Sequence, residues 1–257
     1  MIKKTLQLVF ILSIGFPILF LLMLSLGKQW VFPDLLPKEL SFLNLKTIQN
    51  TETDFLMLFF RSVFISVSVA FAVTSASFII SKSIFYSKYK TIYIILTYIP
   101  YLLSPIIMAV LFHYFFIIAN LTSSVFGVMI AQFLVSFPFG IIIFFGFWNQ
   151  KIKSIELLSY TLGSSTKQTF FKILLPISRN ILILCFFQIF LISWFEFGLT
   201  NLIGNGKVRT LTITVFNFIN QANLFLAAFA SVLLIIPPMI LVYVNKKILF
   251  FIEKTNE

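Results

Sequence analysis

The chain has 257 residues, of which 60% are apolar and only 11% charged. With a mean hydropathy of +1.04, this balance excludes a water-soluble domain and predicts an integral membrane protein. One cysteine, Cys185, rules out an internal disulfide, and one histidine, His113, leaves little for a metal cluster or a His-based triad. The formal charge of +11 would suggest nucleic acid in a soluble chain, but here the basic residues sit between apolar runs.

Six apolar segments follow in chain order, at residues 6–26, 56–80, 92–118, 125–148, 181–199 and 224–244. About 20 apolar residues cross a bilayer, so these predict an all-α polytopic protein with about six transmembrane helices, in one domain over residues 1–257. The first segment follows Lys3 and Lys4 as a secretory signal would. Its apolar stretch is long and no A-x-A site follows, so it is read as a retained helix. Arg61, at the start of the second, is expected to snorkel to the interface. Pro100 and Pro105 in the third, Pro138 in the fourth and Pro237 with Pro238 in the sixth predict kinks. With both ends inside, 13 of the 19 basic residues fall in inner segments and 6 in outer ones. That bias predicts cytoplasmic termini.

Polar residues inside the segments are few. Ser62, Ser66, Ala70 and Thr74 on the second segment, and Gln132, Ser136 and Gly140 on the fourth, are spaced by four and predict close helix packing, with Gln132 also a candidate for a solute pathway. His113 is expected to be a satisfied interhelical donor. Cys185, Gln188, Ser193 and Glu196 share one face of the fifth helix, which should avoid lipid. Glu196 is either a pathway or gate residue, or a helix-end acceptor that orders the loop after Gly198. An unpaired carboxylate there would cost several kcal/mol.

The inner segment at residues 149–180 reads as structured. Ile155, Leu158 and Leu162 share a helical face, Gly163 can end that helix in the left-handed conformation, and Ser165 with Gln168 forms a capping box for a second helix over about 166–175. Phe170, Phe171, Ile173 and Leu174 make this second helix apolar, and Pro176 suits the first turn of the next membrane helix. Such a helix either lies on lipid or docks against a protein partner.

The stretch 155–176 resembles the EAA loop of binding-protein-dependent ABC importer permeases, the MetI-like family. Leu162-Gly163-Ser164-Ser165, Gln168, Phe170 and Leu175-Pro176 match that loop's spacing, and Glu156 supplies its acid one position early. Glu196-Phe197-Gly198, Leu202-Ile203-Gly204 and Thr210-Leu211 with Phe216 resemble the polyamine, thiamine, iron, sulfate and aminoethylphosphonate branches. So does Trp30-Val31-Phe32-Pro33-Asp34-Leu35-Leu36-Pro37. The resemblance implies a permease subunit in a bacterial inner membrane. Its implied partners are a second permease (the same or a different chain), an ATP-binding cassette ATPase dimer and an extracytoplasmic solute-binding protein.

It further implies that Glu156, Gly163, Ser164, Ser165, Gln168, Phe170, Phe171 and Pro176 couple the chain to the ATPase. Gln132, Gln188 and Glu196 are the pathway candidates. No cofactor is expected on this chain: it carries no G-x-x-x-x-G-K-S/T loop, so ATP and magnesium belong to the partner ATPase. Two other classes compete. An ion-coupled secondary transporter would need intramembrane acids in paired halves, whereas Glu196 is the only acid in a predicted span and no half-repeat is visible. A non-transport scaffold would use the structured loop to hold some other cytoplasmic protein.

Overall fold

Apolar runs in a bilayer have no water to pair their backbone, so they close their hydrogen bonds internally as helices. A computed structural model describes residues 2–29, 39–40, 55–103 and 105–253. The helices are α1 (Ile2–Ser25), α2 (Phe55–Tyr86), α3 (Lys90–Leu102), α4 (Pro105–Ile118), α5 (Val125–Phe145), α6 (Gln150–Thr161), α7 (Thr166–Thr169), α8 (Leu175–Ile177), α9 (Arg179–Trp194), α10 (Gly198–Gly204), α11 (Leu211–Asn220) and α12 (Leu224–Glu253). A π-helical turn, Phe170–Leu174, joins α7 to α8. Two short antiparallel strands, β1 (Gly27–Gln29) and β2 (Glu39–Leu40), pair after α1. The outer-loop pattern at residues 30–37 lies outside the described residues.

Among the described residues, three helices are long and apolar enough to cross a membrane, within α2, α5 and α12. Up to five spans result if each of two bent helix pairs is counted as one. The expected six is reached only if α1, 24 residues long, is a further span. Two expected segments need correction. The third is two helices, α3 and α4, bent by 98°; Pro105 begins the second, where a missing N–H is tolerated. The fifth stops at Trp194, and residues 198–204 form the separate short helix α10.

The chain divides into two compact units, residues 1–62 with 209–240 and residues 63–208 with 241–257. In the first, the Ser62 hydroxyl donates to the Leu58 carbonyl (2.8 Å) and accepts from the Leu211 amide (2.8 Å), which ties α11 to α2. Phe55 stacks on Phe218 and meets Phe229 edge-on.

In the second unit the small-residue ridges pack as their spacing predicts. Ser66, Ala70 and Thr74 are buried, and Ser77 donates to the Phe137 carbonyl across the α2–α5 contact (3.1 Å). Gly140 faces this ridge so closely that a Cβ would lie 2.4 Å from the Ser77 Oγ and 2.8 Å from its Cβ. Thr74 donates to the buried Cys185 Sγ at 3.8 Å. His113 departs from expectation, since its buried Nδ1 has no hydrogen-bond partner.

Candidate functional site

The residues between α5 and α9 form the structured loop. Asn149 caps α6 by accepting from the Ile152 amide. At the other end Gly163 takes φ +84°. Its amide bonds the Tyr160 carbonyl and the Ser164 amide the Ser159 carbonyl, a reciprocal pair that closes a helix only through a left-handed residue. The second helix then starts on the predicted capping box: the Ser165 hydroxyl accepts from the Gln168 amide (3.3 Å), and the Gln168 side chain accepts from the Ser165 amide (3.0 Å). This helix widens at Phe170–Leu174 just ahead of Pro176, whose ring removes a donor and presses on the carbonyl four residues back. It bends 71° from α9.

The loop's inward face differs from the face its leucines predict. Ile152, Glu156 and Ser159 are buried, whereas Leu158 and Leu162 are exposed. Glu156 is 5% exposed. Its Oε1 accepts from Lys82 Nζ (2.5 Å) and Tyr160 OH (2.9 Å), and its Oε2 from Tyr86 OH (2.5 Å). Burial pushes this carboxyl up, but the hydrogen bonds from Lys82, Tyr86 and Tyr160 together with the Lys82 charge outweigh it. They hold the group below its usual range.

The two loop helices are joined by a Ser159–Thr169 hydroxyl bond of 2.9 Å. Phe170 packs its ring 5.9 Å from Phe78, and Trp148 donates its indole N–H to Ser81 (2.8 Å). Both helices therefore rest on the last three turns of α2.

The opposite face has no such covering. Leu157, Leu158 and Leu162 are 53%, 60% and 78% exposed, and Phe171 is 64% exposed. Phe170 and Phe171, adjacent in sequence, thus point to different duties: the first fixes the loop to α2 and the second is presented outward. Ser164 is half-buried, and Ser165, Gln168 and Pro176 are exposed.

The pathway candidates form a second cluster, in part. Glu196 Oε1 accepts from the Leu199 amide (2.6 Å), and Oε2 from the Thr200 amide (2.8 Å) and hydroxyl (2.6 Å). This is the geometry of a helix-end acceptor ordering α10. Gln132 is buried and bridges two helices, donating to Thr200 Oγ1 (2.8 Å) and accepting from Ser193 (2.6 Å). Gln188 stands apart, half-exposed on α9. Glu196 also lines a mostly apolar cavity of about 470 Å³ with Tyr101, Met108, Val135 and Asn201.

Sequence reasoning missed Lys82, Tyr86 and Tyr160 as members of the loop site. Lys82/Tyr86 and Glu156/Tyr160 are each four apart, so each pair shares a helix face. Which two faces would meet across some 70 residues of chain had no local signal. Among the described residues no group of three or more metal-binding side chains occurs.

A family profile described as the binding-protein-dependent transport system inner membrane component matches residues 68–249. No curated protein matches the chain. The match takes in more than half of the sequence, with the loop, the polar cluster and most of the helices, so the chain belongs to this family of ABC importer permeases.

Proposed function

We propose that this permease forms, with a second permease subunit, the membrane pathway for a small solute delivered by an extracytoplasmic binding protein. The loop at residues 149–180 docks on a separate ATPase that supplies the energy. The observation that carries the reading is the two-faced build of the loop. One face is anchored to α2 through Glu156, Ser159 and Phe170, and the other leaves Leu157, Leu158, Leu162 and Phe171 uncovered. Burying a Phe or Leu is worth roughly 1.5–3 kcal/mol, so a rigid cluster of four supports a protein interface better than it tolerates water. The basic-residue bias supports placing this loop and both termini in the cytoplasm. The chain acts as one permease domain, and ATP with magnesium is bound by the partner.

The cavity beside Glu196 is this chain's share of the solute pathway, with Gln132 holding its wall through Thr200 and Gln188 on the same helix as Ser193. The ion-coupled alternative gains nothing from this geometry, because the Glu196 carboxylate is already occupied by three donors of α10.

The test is recovery of a co-expressed ATPase on the affinity-tagged permease. Leu162→Ala with Phe171→Ala should lose most of it. Gly163→Pro should also lose it, because proline cannot adopt φ +84°. Both variants should insert normally. Wild-type recovery in both would return the loop to a lipid-surface role.

A further inference from the structure

Resting on the coupling reading, we infer that Lys82 and Glu156 are positioning residues that make the docking loop and the end of α2 move as one body. The second unit concentrates its contacts with the loop on a single stretch of one helix. Phe78 receives Phe144, Trp148 and Phe170. Ser81 receives the Trp148 indole, and Lys82 and Tyr86 receive Glu156. These residues recur every three or four positions, which is one face of α2.

Apolar ring contacts resist separation but permit sliding and rotation. A buried ion pair fixes register, because a shift in any direction lengthens a charge-assisted bond that water cannot replace. Glu156 is the only acid between residues 149 and 180, and the chain spends it inward. Its side chain is 7% exposed and that of Lys82 21%. The remaining titratable groups at the contact are Tyr86 and Tyr160, which donate to the same carboxylate, and Lys153, whose ammonium lies 5.4 Å from the Tyr86 ring centroid. Lys82 is thus the one cation that pairs with it directly. A push on α6 from outside is delivered through this pair to α2, a helix of 32 residues, rather than dissipated at the loop.

The experiment places spin labels at Ser83→Cys on α2 and Ser154→Cys on α6. Both are exposed serines whose hydroxyls bond only their own helix backbone, and the native Cys185 is buried away from reagent. Distances are measured in the permease–ATPase complex, nucleotide-free and after trapping with ATP and vanadate. With Lys82 and Glu156 intact, the distribution should be narrow and unchanged by trapping. In Lys82→Met and in Glu156→Gln, trapping should shift or broaden it by about 2 Å or more, the scale of helix displacements in coupled transitions. The exchange Lys82→Glu with Glu156→Lys should narrow it again.

Single variants that stay narrow on trapping, or an intact pair whose distance itself changes, would overturn the inference. So would a failure of the exchange to restore the intact distribution. Should wild-type ATPase never co-purify, it is the coupling reading that fails. The same labels in the permease alone then report whether the pair still fixes α6 on α2.

Discussion

Two carboxylates lie in the same compact unit, and they are satisfied in opposite ways. Glu196 is held by donors three and four residues ahead of it in the chain. Glu156 is held by Lys82 and Tyr86, more than 65 residues behind it, with Tyr160 adding a local bond. A carboxylate satisfied by its own next turn organises that turn, and its loss is felt locally. One satisfied by a distant helix joins two elements, and its loss separates them.

The comparison is broken most severely at Lys82. Lys82→Met leaves the Glu156 carboxylate buried without its cation, which should cost about 3–5 kcal/mol, read as a large drop in the melting temperature of the purified permease. The double variant Lys82→Met with Glu156→Gln should lose less than the two single losses combined. The pH dependence follows from the depressed pKa of Glu156. The pair's contribution is fully present above the ordinary carboxylate value of 4.5 and is lost as pH falls through the lower folded-state value. Melting curves of Glu156→Gln should lack that acidic loss.

Next in size is Gln132→Leu, which strips Ser193 of its acceptor and Thr200 of a donor inside the unit. About 1–3 kcal/mol is expected, again as a melting shift. Glu196→Gln should cost less, about 0.5–2 kcal/mol, because the amide oxygen still accepts from α10 while the NH₂ end faces a donor. Amide exchange should then speed up at Leu199 and Thr200 and stay unchanged at Glu156. Exchange that rises equally at both places would erase the distinction between the two carboxylates. Smallest of all is Leu162→Ala with Phe171→Ala, which should leave stability within about 0.5 kcal/mol of wild type, since neither side chain supports the fold.

What could be read before the structure was mostly local. Gly163, the Ser165–Gln168 box and the ridge from Ser62 to Thr74 are patterns of a few residues with one physical solution, and each appears as expected. Long apolar segments also identified the membrane helices, but hydropathy is blind to direction. Nothing in the run from Ile92 to Ile118 distinguishes one span from two helices meeting at 98°. The orientation of α6 failed for a related reason. Leu158 and Leu162 look like a core face in isolation, yet the buried face is the one where Glu156 finds Lys82 and Ser159 finds Thr169. Polar partners on other helices outweighed apolar periodicity, and a single helix carries no record of its partners.

The most direct test of the account is site-specific photocrosslinking from the outward face of the loop. A photoreactive side chain at Leu162 or Phe171 in the assembled transporter should form an adduct with the ATPase subunit, whereas one at Tyr114, equally exposed on α4, should not. Adducts with lipid alone at both loop positions would contradict the docking role.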